Sequence, residues 1–226
     1  MTRARPVVAI DGPVGAGKST VARALARALG FAYVNTGAMY RAVAIAARAA
    51  GIDPDGAGRE AELTRLLERI EIRFDGDRIA LDGRDVSAAI GDPAIGDLAS
   101  RLSTIAAVRA RMRELQRAAG RDGGVVMEGR DIGTAIFPDA EVKFFLTADV
   151  NVRAARRHAE LAAQGATITL AAVRDQLIER DRRDRERTLA PLRPADDAIE
   201  IDSTGHGVAE VVARMRARID QLARAR

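Results

Sequence analysis

The first part of the chain alternates between short apolar runs and helical patterns. Val7 to Asp11 (VVAID) form a β-branched run, a glycine-rich turn follows, and apolar positions then recur at helical spacing from Lys18 to Leu29. FAYVNTG repeats this order, and we predict a short strand, a turn at Gly37 and a helix from about Ala38 to Ala50. The stretch GIDPDGAG then breaks the pattern.

A different pattern spans about residues 53 to 97. A predicted short helix, Glu60 to Arg69, leads into IEIRFDGDRIALDGRDVS, where apolar and charged residues alternate. The alternating apolar positions are Ile70, Ile72 and Phe74. Two Asp-Gly pairs, typical of hairpin turns, are Asp75-Gly76 and Asp82-Gly83. We therefore predict a small antiparallel sheet inserted into an α/β chain.

The rest of the chain returns to alternating elements. We predict helix from Pro93 to Ala119 with a break near Thr104, and two buried strands within GGVVMEGRD and AEVKFFLTAD. Helix is predicted again from Asn151 to Arg187, interrupted at QGATIT, where Thr169 is a candidate N-cap. DDAIEIDST supplies the last strand, and Gly207 to Ala223 the last helix. The predicted fold is α/β, a three-layer α/β/α arrangement around a five-stranded parallel sheet.

Composition narrows the classes of function. The 226 residues are enough for one sizeable domain with an insertion, and the absence of cysteine excludes disulfides, thiolate nucleophiles and cysteine-bound metals. No run of about 18 apolar residues occurs and the N-terminal stretch does not resemble a signal peptide, so we expect a cytoplasmic protein with no membrane partner. The net charge of +4 leaves two alternatives open: an anionic partner, or an ordinary surface rich in arginine.

GPVGAGKS, from Gly12 to Ser19, matches the phosphate-binding pattern G-x-x-x-x-G-K-[ST] between a strand and a helix. Glycines let successive backbone N–H groups point at phosphate oxygens, and the helix N-terminus favours their negative charge. Lys18 and Lys143 are the only lysines among 36 basic side chains. Lysine is expected at position 18 because a compact ammonium reaches the β- and γ-phosphates where the planar fork of arginine does not fit. Ser19 offers a hydroxyl to Mg²⁺.

The phosphate-binding loop by itself does not distinguish kinases, GTPases and motor ATPases. The guanine-reading motif N-K-x-D is absent, and so is a typical Walker B pattern, in which an apolar strand leads into a metal-binding Asp. VVME ends instead in Glu128, which could organise the water shell of the metal. These features and the small size favour a small-molecule kinase.

Three clusters carry arginines after predicted strands or on the late helices: Arg41 in NTGAMYR, Arg130 and Asp131 in EGRDIGT, and Arg180, Asp184 and Arg187 in RDRRDRER. Ligands of parallel α/β sheets bind at the carboxyl ends of the strands, so these arginines are candidates for holding a second phosphate. Two structural alternatives stay open. RDRRDRER could be a helix face with internal ion pairs, and Arg130–Asp131 a local pair within a loop.

The sequence resembles those of the bacterial cytidylate kinases, which phosphorylate CMP and dCMP. The resemblance runs nearly the full length and is carried by IDGPVGAGKST, NTGAMYRAVA, EGRDIGTAIFPDAEVKFFLTA and RDRRDRERTLAPLRPADDAIEIDST. It implies transfer of the γ-phosphoryl group of ATP to CMP or dCMP, with Mg²⁺ as cofactor. It also implies a core of residues 1–52 and 98–226, an acceptor-binding insertion of about 53–97 and a helical lid of about 152–187.

The resemblance assigns roles to individual residues. The loop residues that would cradle ATP are Gly12, Gly15, Ala16, Gly17, Lys18, Ser19 and Thr20, joined by Arg153 and Arg157 from the lid. The CMP phosphate would be held by Thr36, Arg41 and Arg130, with Tyr40 close by. Ser100, Arg109 and Asp131 would face the cytosine with Arg187 nearby, and Arg180 and Asp184 would hold the ribose hydroxyls. Lys18, Arg130, Asp131 and Arg180 would be the catalytic group.

Three positions depart mildly from the family pattern. Asn35 stands where Asp is expected, Thr36 replaces the commoner Ser, and Glu128 stands where some members carry Asp. A catalytic histidine is not expected, because the acceptor phosphate is already largely dianionic at pH 7. His158 and His206 are assigned surface roles.

Three other functions are alternatives to this one. A kinase acting on UMP or AMP is the nearest alternative, and a catalytically silent switch module is disfavoured by the intact Lys18 and Ser19. A nucleic-acid-binding ATPase is disfavoured by the balance of 36 basic against 32 acidic side chains and by an aromatic content of 3%. We therefore expect ATP and CMP or dCMP as partners, no nucleic acid, and a monomer.

Overall fold

The computed structural model describes residues 3–75 and 78–224. Its contacts divide the chain into two compact units. Unit 1 comprises Met1–Ala32 and Asp122–Arg226, and unit 2 comprises Tyr33–Arg121.

The elements follow the alternation expected from the sequence. The strands are β1 (Val7–Asp11), β2 (Ala32–Asn35), β3 (Ile72–Asp75), β4 (Arg78–Leu81), β5 (Arg84–Asp85), β6 (Val125–Gly129), β7 (Val142–Thr147) and β8 (Ile199–Asp202). The α-helices are α1 (Lys18–Leu29), α2 (Thr36–Ala49), α3 (Arg59–Arg69), α4 (Pro93–Leu102), α5 (Ala106–Gly120), α6 (Val150–Ala163), α7 (Leu170–Glu186) and α8 (Val208–Arg224). A short 3₁₀-helix spans Ala89–Gly91 and a π-helical turn spans Ile132–Ile136.

The main sheet is parallel and five-stranded, in the order β2-β6-β1-β7-β8, which confirms the predicted fold class. β1 lies at its centre, between β6 and β7, and all five of its residues are buried. In this register Asp11, the last residue of β1, lies beside Gly129 of β6 and Phe145 of β7. The carboxyl ends of these three strands therefore meet at one edge of the sheet.

Side-chain caps explain where several helices begin. Thr169 caps α7 by accepting a hydrogen bond from the N–H of Ala172 at 3.2 Å, as predicted. The predicted turn at Gly37 is wrong, because the Asn35 side chain accepts from the N–H of Ala38 at 3.0 Å. This cap starts α2 at Thr36 and places Gly37 inside its first turn. The local side-chain cap from Asn35 outweighed the helix-breaking tendency of glycine.

Unit 2 carries the small antiparallel sheet, in the order β3-β4-β5. Asp82 and Gly83 form the hairpin turn between β4 and β5, with positive φ values of 50° and 76°. The other predicted turn includes Gly76, which lies outside the described residues. Apolar side chains of α2, α3, α4 and α5 form the core of this unit, and the predicted break near Thr104 separates α4 from α5.

Across residues 3–75 and 78–224, no helix combines the length and the apolar character that crossing a membrane requires.

Candidate active site

The phosphate-binding loop connects β1 to α1 in unit 1. Gly12 has a φ of 148°, and a β-carbon at this position would lie 2.0 Å from the carbonyl oxygen of Leu146. Only glycine fits so close to β7. The loop is also supported by the residue that follows β8, since the Ser203 hydroxyl donates to the Ala16 carbonyl at 3.0 Å. Arg156 in turn donates to the Ser203 carbonyl at 2.9 Å.

Lys18 is the first residue of α1 and is buried, with 5% of its surface exposed. Its ammonium donates to the Pro13 carbonyl at 2.6 Å and so folds back over the loop. Burial, together with the positive charge of Arg130, lowers the pKa of Lys18 to about 7 against the opposing effect of Glu128, Asp184 and Asp11. The loop therefore holds a desolvated cation whose charge a polyanion would stabilise.

Of the three buried carboxyl groups that act electrostatically on Lys18, Glu128 and Asp11 lie near the ends of strands β6 and β1. Glu128, at the end of β6, is 4% exposed. Asp11 is equally buried and accepts from the N–H groups of Ile132 and Gly133 at 2.9 and 2.8 Å. Burial raises the pKa of Asp11 to about 6, although these two hydrogen bonds oppose the rise.

Two ion pairs connect the turn after β6 with the end of α7. Arg130 Nε donates to Asp184 at 2.9 Å, and Arg187 Nη2 donates to Asp131 at 3.4 Å. Arg130 and Asp131 therefore each have an ion-pair partner outside the turn. Burial raises the pKa of Asp184, but the charges of Arg130, Arg180 and Arg187 outweigh it and leave the pKa below its usual value. Asp184 is thus an ionised carboxylate among three cations of unit 1.

RDRRDRER has two distinct faces on α7. Its exposed face has the internal pairs that the structural alternative predicted, since Arg182 bonds Glu179 and Glu186 at 2.8 and 2.9 Å. Its buried face carries Asp181 and Asp184, which pair with arginines outside the helix. The segment is therefore both a solvated helix face and part of the site.

Arg153, on α6, is held between the phosphate-binding loop and α7. Its guanidinium donates to the carbonyls of Ala148 and Val14 at 3.0 and 3.1 Å and pairs with Asp181 at 2.7 Å. Arg157 lies one turn further on and pairs with Glu160 at 3.0 Å on the partly exposed side of α6. The two arginines expected to act together thus have different surroundings.

Five further predicted residues lie in unit 2. Thr36 is buried at the start of α2, and Arg41, one turn later, donates to the Ile90 carbonyl at 2.7 Å. Ser100 on α4 and Arg109 on α5 are buried, and Arg109 donates to the Ser103 carbonyl at 3.3 Å. Tyr40 is partly buried against the apolar core of the unit.

Sequence reasoning assigned no role to Asp11 or Asp181, which the structure places in contact with the candidate site. An acidic residue that ends the apolar run VVAID was a usable signal for Asp11. Asp181 lies three residues before Asp184 and therefore on the same helical face. The histidines contact other groups: His158 lies 3.0 Å from the Ile168 carbonyl and His206 2.7 Å from Glu210.

Within residues 3–75 and 78–224, no group of three or more Asp, Glu, His or Cys side chains could form a metal cage. What unit 1 offers is a glycine loop, a buried lysine and a set of arginines around Asp184. Such a site is suited to binding phosphate groups and neutralising their charge.

Comparisons with known proteins identify the family. The family model for cytidylate kinase matches residues 8–221. A cytidylate kinase of Geobacter sulfurreducens is 48% identical over 220 residues, which cover 97% of this chain and 94% of that protein. A cytidylate kinase of Pelotomaculum thermopropionicum is also 48% identical, over 218 residues, 95% of this chain and 96% of that protein.

A solved structure supports the fold independently. An uncharacterized protein from Eubacterium ventriosum aligns with a TM-score of 0.53 over 96% of this chain and 99% of that one. Because the two sequences are only 12% identical, this likeness concerns the fold alone. The family match and the relatives, which extend over nearly all of the sequence, show that this chain belongs to the cytidylate kinase family.

Proposed function

We propose that the protein transfers the γ-phosphoryl group of ATP to CMP or dCMP, giving ADP and CDP or dCDP. Membership of the cytidylate kinase family supports the reaction. The observation that carries it is the buried Lys18 of the phosphate-binding loop, with Arg130 close enough to lower its pKa. Two cations held near each other in a buried site suit a reaction between two polyanions.

On the donor side, the loop from Gly12 to Thr20 binds the phosphates of ATP, with Lys18 on the β- and γ-phosphates. Arg153 and Arg157 contribute from the helical pair α6–α7, which we propose as the lid, about residues 152–187. Arg153 already contacts the loop at the Val14 carbonyl, which supports a role close to the donor.

Magnesium fits the donor side as an ion that arrives with ATP. The described residues form no metal cage, and Mg²⁺ binds phosphate oxygens, waters and one or two protein oxygens. We propose the partly buried Ser19 hydroxyl as its protein ligand. When bound there, the ion would neutralise negative charge that develops on the phosphate groups during transfer.

On the acceptor side, we propose that Arg130 binds the CMP phosphate and that Asp131 accepts a hydrogen bond from the exocyclic amine of cytosine. Arg180 and Asp184 hold the ribose hydroxyls, and Arg187 supports Asp131, with which it is paired at 3.4 Å. The family resemblance also assigns acceptor roles to unit 2 residues, which stay predictions: Thr36, Tyr40, Arg41, Ser100 and Arg109. The insertion boundaries 53–97, the monomeric state and the cytoplasmic location stay predictions as well.

The chemistry needs no general base. An oxygen of the acceptor phosphate attacks the γ-phosphorus, and the bond from that phosphorus to the oxygen bridging it to the β-phosphate breaks, releasing ADP. A phosphate with a second pKa near 6 is mostly dianionic at neutral pH, so the attacking oxygen carries no proton to remove. The work of the site is to align two polyanions and offset their repulsion, which Lys18 and the arginines are suited to do.

The reaction is tested by ADP release from Mg·ATP with CMP, dCMP, UMP, AMP or no acceptor. We expect strong turnover with CMP and dCMP, weak turnover with UMP, and hydrolysis without acceptor at least ~100-fold slower than transfer, because closure on the correct acceptor assembles the site. Hydrolysis that is equally fast with and without acceptor would refute the kinase function. Preference for UMP or AMP would refute the acceptor assignment alone.

A further inference from the structure

Asp11 connects the donor loop to the turn that carries Asp131. It is the last residue of β1 and immediately precedes Gly12. Both of its carboxylate oxygens are used on consecutive backbone groups 121 and 122 residues away: Oδ1 accepts from Ile132 N at 2.9 Å and Oδ2 from Gly133 N at 2.8 Å. Hydrogen bonds to an ionised carboxylate are stronger than those between neutral groups, so this contact fixes the turn to the end of β1.

The turn itself is tightly wound around Asp131. The carbonyl of Asp131 accepts from the N–H groups of Ala135 and Ile136 at 2.9 and 3.2 Å, which forms the π-helical turn. The N–H groups of the two residues that follow Asp131 donate to the Asp11 carboxylate. The backbone of Asp131 is thus held by the turn on its carbonyl side and by Asp11 through the next two residues.

Gly133 allows this contact because a larger residue would be crowded at this position. A β-carbon at Gly133 would lie 3.1 Å from Cδ of Lys143 and 3.5 Å from Oδ2 of Asp11. Lys143 is not free to withdraw, because its ammonium donates to the Pro138 carbonyl at 2.5 Å and to Asp197 at 2.9 Å. The turn is therefore packed between the Asp11 carboxylate on one side and the aliphatic stem of Lys143, whose ammonium is hydrogen-bonded, on the other.

We propose that Asp11 is a positioning residue for acceptor recognition, which fixes the Asp131 side chain where it reads the acceptor base. The proposal rests on the proposed function, in which Asp131 selects cytosine. Asp11 touches neither substrate in this role and acts through the backbone of the turn. The charged groups that act on Asp11 are Asp131 and Lys18.

Asp11→Asn tests the proposal without changing the size of the side chain. The amide oxygen keeps one N–H partner, but the amide nitrogen opposes the other N–H, so one charge-assisted hydrogen bond is lost. We expect kcat/KM for CMP to fall about 10- to 100-fold, the range for losing one hydrogen bond to a charged group. The KM for Mg·ATP should change less than about 3-fold, and the preference for CMP over UMP should fall at least about 5-fold.

Glu141→Gln is the matched control. The Glu141 carboxylate is also buried and also accepts two backbone N–H groups, from Val7 at 2.9 Å and Arg3 at 3.2 Å, at the opposite end of β1. This variant loses a comparable backbone interaction at the far end of the strand, together with the ion pair between Glu141 and the Arg3 guanidinium at 3.2 Å. Its CMP to UMP preference should equal that of the wild type, even if its stability falls.

The kinetic pattern decides between roles for Asp11. A rise in the KM for Mg·ATP with an unchanged CMP to UMP preference would mean that Asp11 acts through Lys18 on the donor, and would overturn the proposal. Equal losses for CMP and UMP in Asp11→Asn would overturn it too. Wild-type activity that favours another acceptor would refute the proposed function instead, so the two failures are distinguishable.

Gly133→Ala is a second test of the same proposal, for use if Asp11→Asn does not fold. Its β-carbon pushes the turn away from the pinned Lys143 stem by a few tenths of an ångström while every charge stays in place. We expect a selective loss of about 3- to 10-fold in kcat/KM for CMP, with the KM for Mg·ATP unchanged. Wild-type kinetics and wild-type CMP to UMP preference in this variant would overturn the proposal.

Discussion

ATP binding at pH 8 should draw about one proton from solution, because Lys18 is mostly neutral in the free protein at that pH. The group has a pKa of about 7 when no phosphate is bound, since it is buried and lies near Arg130. One pH unit above its pKa, only ~10% of a group is protonated. The polyphosphate of ATP favours the charged form and should return the pKa of Lys18 to its usual range, so the ammonium becomes fully protonated in the complex.

The expected uptake is therefore ~0.9 proton per ATP at pH 8, and only ~0.2 at pH 6.5, where Lys18 is already about three-quarters protonated. The sign of the effect follows from the lowered pKa of Lys18. Because the free protein holds this side chain partly deprotonated, ATP binding adds a proton to it, and the number of protons taken up grows as the pH rises above 7. Calorimetric titration of a non-hydrolysable Mg·ATP analogue in buffers of different ionisation enthalpy measures it. The slope of observed enthalpy against buffer enthalpy is the number of protons taken up.

Lys18→Arg is the control, since arginine stays protonated throughout this range. Its slope at pH 8 should be close to zero wherever binding is still measurable. A wild-type slope below about 0.1 at pH 8 would place the pKa of Lys18 at about 9 or higher and refute the argument that burial makes this ammonium lose its proton.

Two further predictions concern carboxylates of the site. Asp131→Ala should lower kcat/KM for CMP by at least about 10-fold and remove most of the preference for CMP over UMP, because a polar partner of cytosine is lost. Steady-state kinetics with both acceptors measures this loss. An unchanged ratio of kcat/KM for CMP to that for UMP would contradict the assignment of Asp131. Asp181→Asn should lower the free energy of unfolding in urea by about 3 kcal/mol, because it leaves the charge of Arg153 buried without its carboxylate partner. Asp175→Asn, an exposed position on the same helix, should cost less than about 0.5 kcal/mol, and equal costs for the two variants would show that the buried pair contributes nothing special.

The sequence was most informative where chemistry is local. GPVGAGKS between an apolar strand and a helical pattern determines a phosphate-binding loop, since glycines, lysine and serine act there within one turn of chain. The Asp82-Gly83 turn was equally predictable, because a two-residue hairpin with a type I′ turn requires positive φ at both positions, which Asp-Gly tolerates. The turn expected at Gly37 was the exception, because the Asn35 cap starts the helix at Thr36, two residues before the predicted start.

The ion-pair partners of the charged residues could not be predicted from local sequence patterns. RDRRDRER offers several carboxylates and arginines at helical spacing, and the sequence left open which of them form pairs along the helix. In the fold Asp184 pairs with Arg130 across 54 residues and Asp181 with Arg153, while Arg182 keeps its pairs within the helix. Which face of α7 is buried decides this, and burial depends on what packs against the helix.

Lys18 and Asp11 show the same division. The sequence motif assigned Lys18 to phosphate binding, and the apolar pattern placed Asp11 at the end of a strand. Only the tertiary structure decided that Lys18 is buried enough to lose its proton near neutral pH, and that Asp11 reaches the turn after β6. The reason is that desolvation and contacts between distant segments follow from strand order, here β1 between β6 and β7, which no local pattern along the chain encodes.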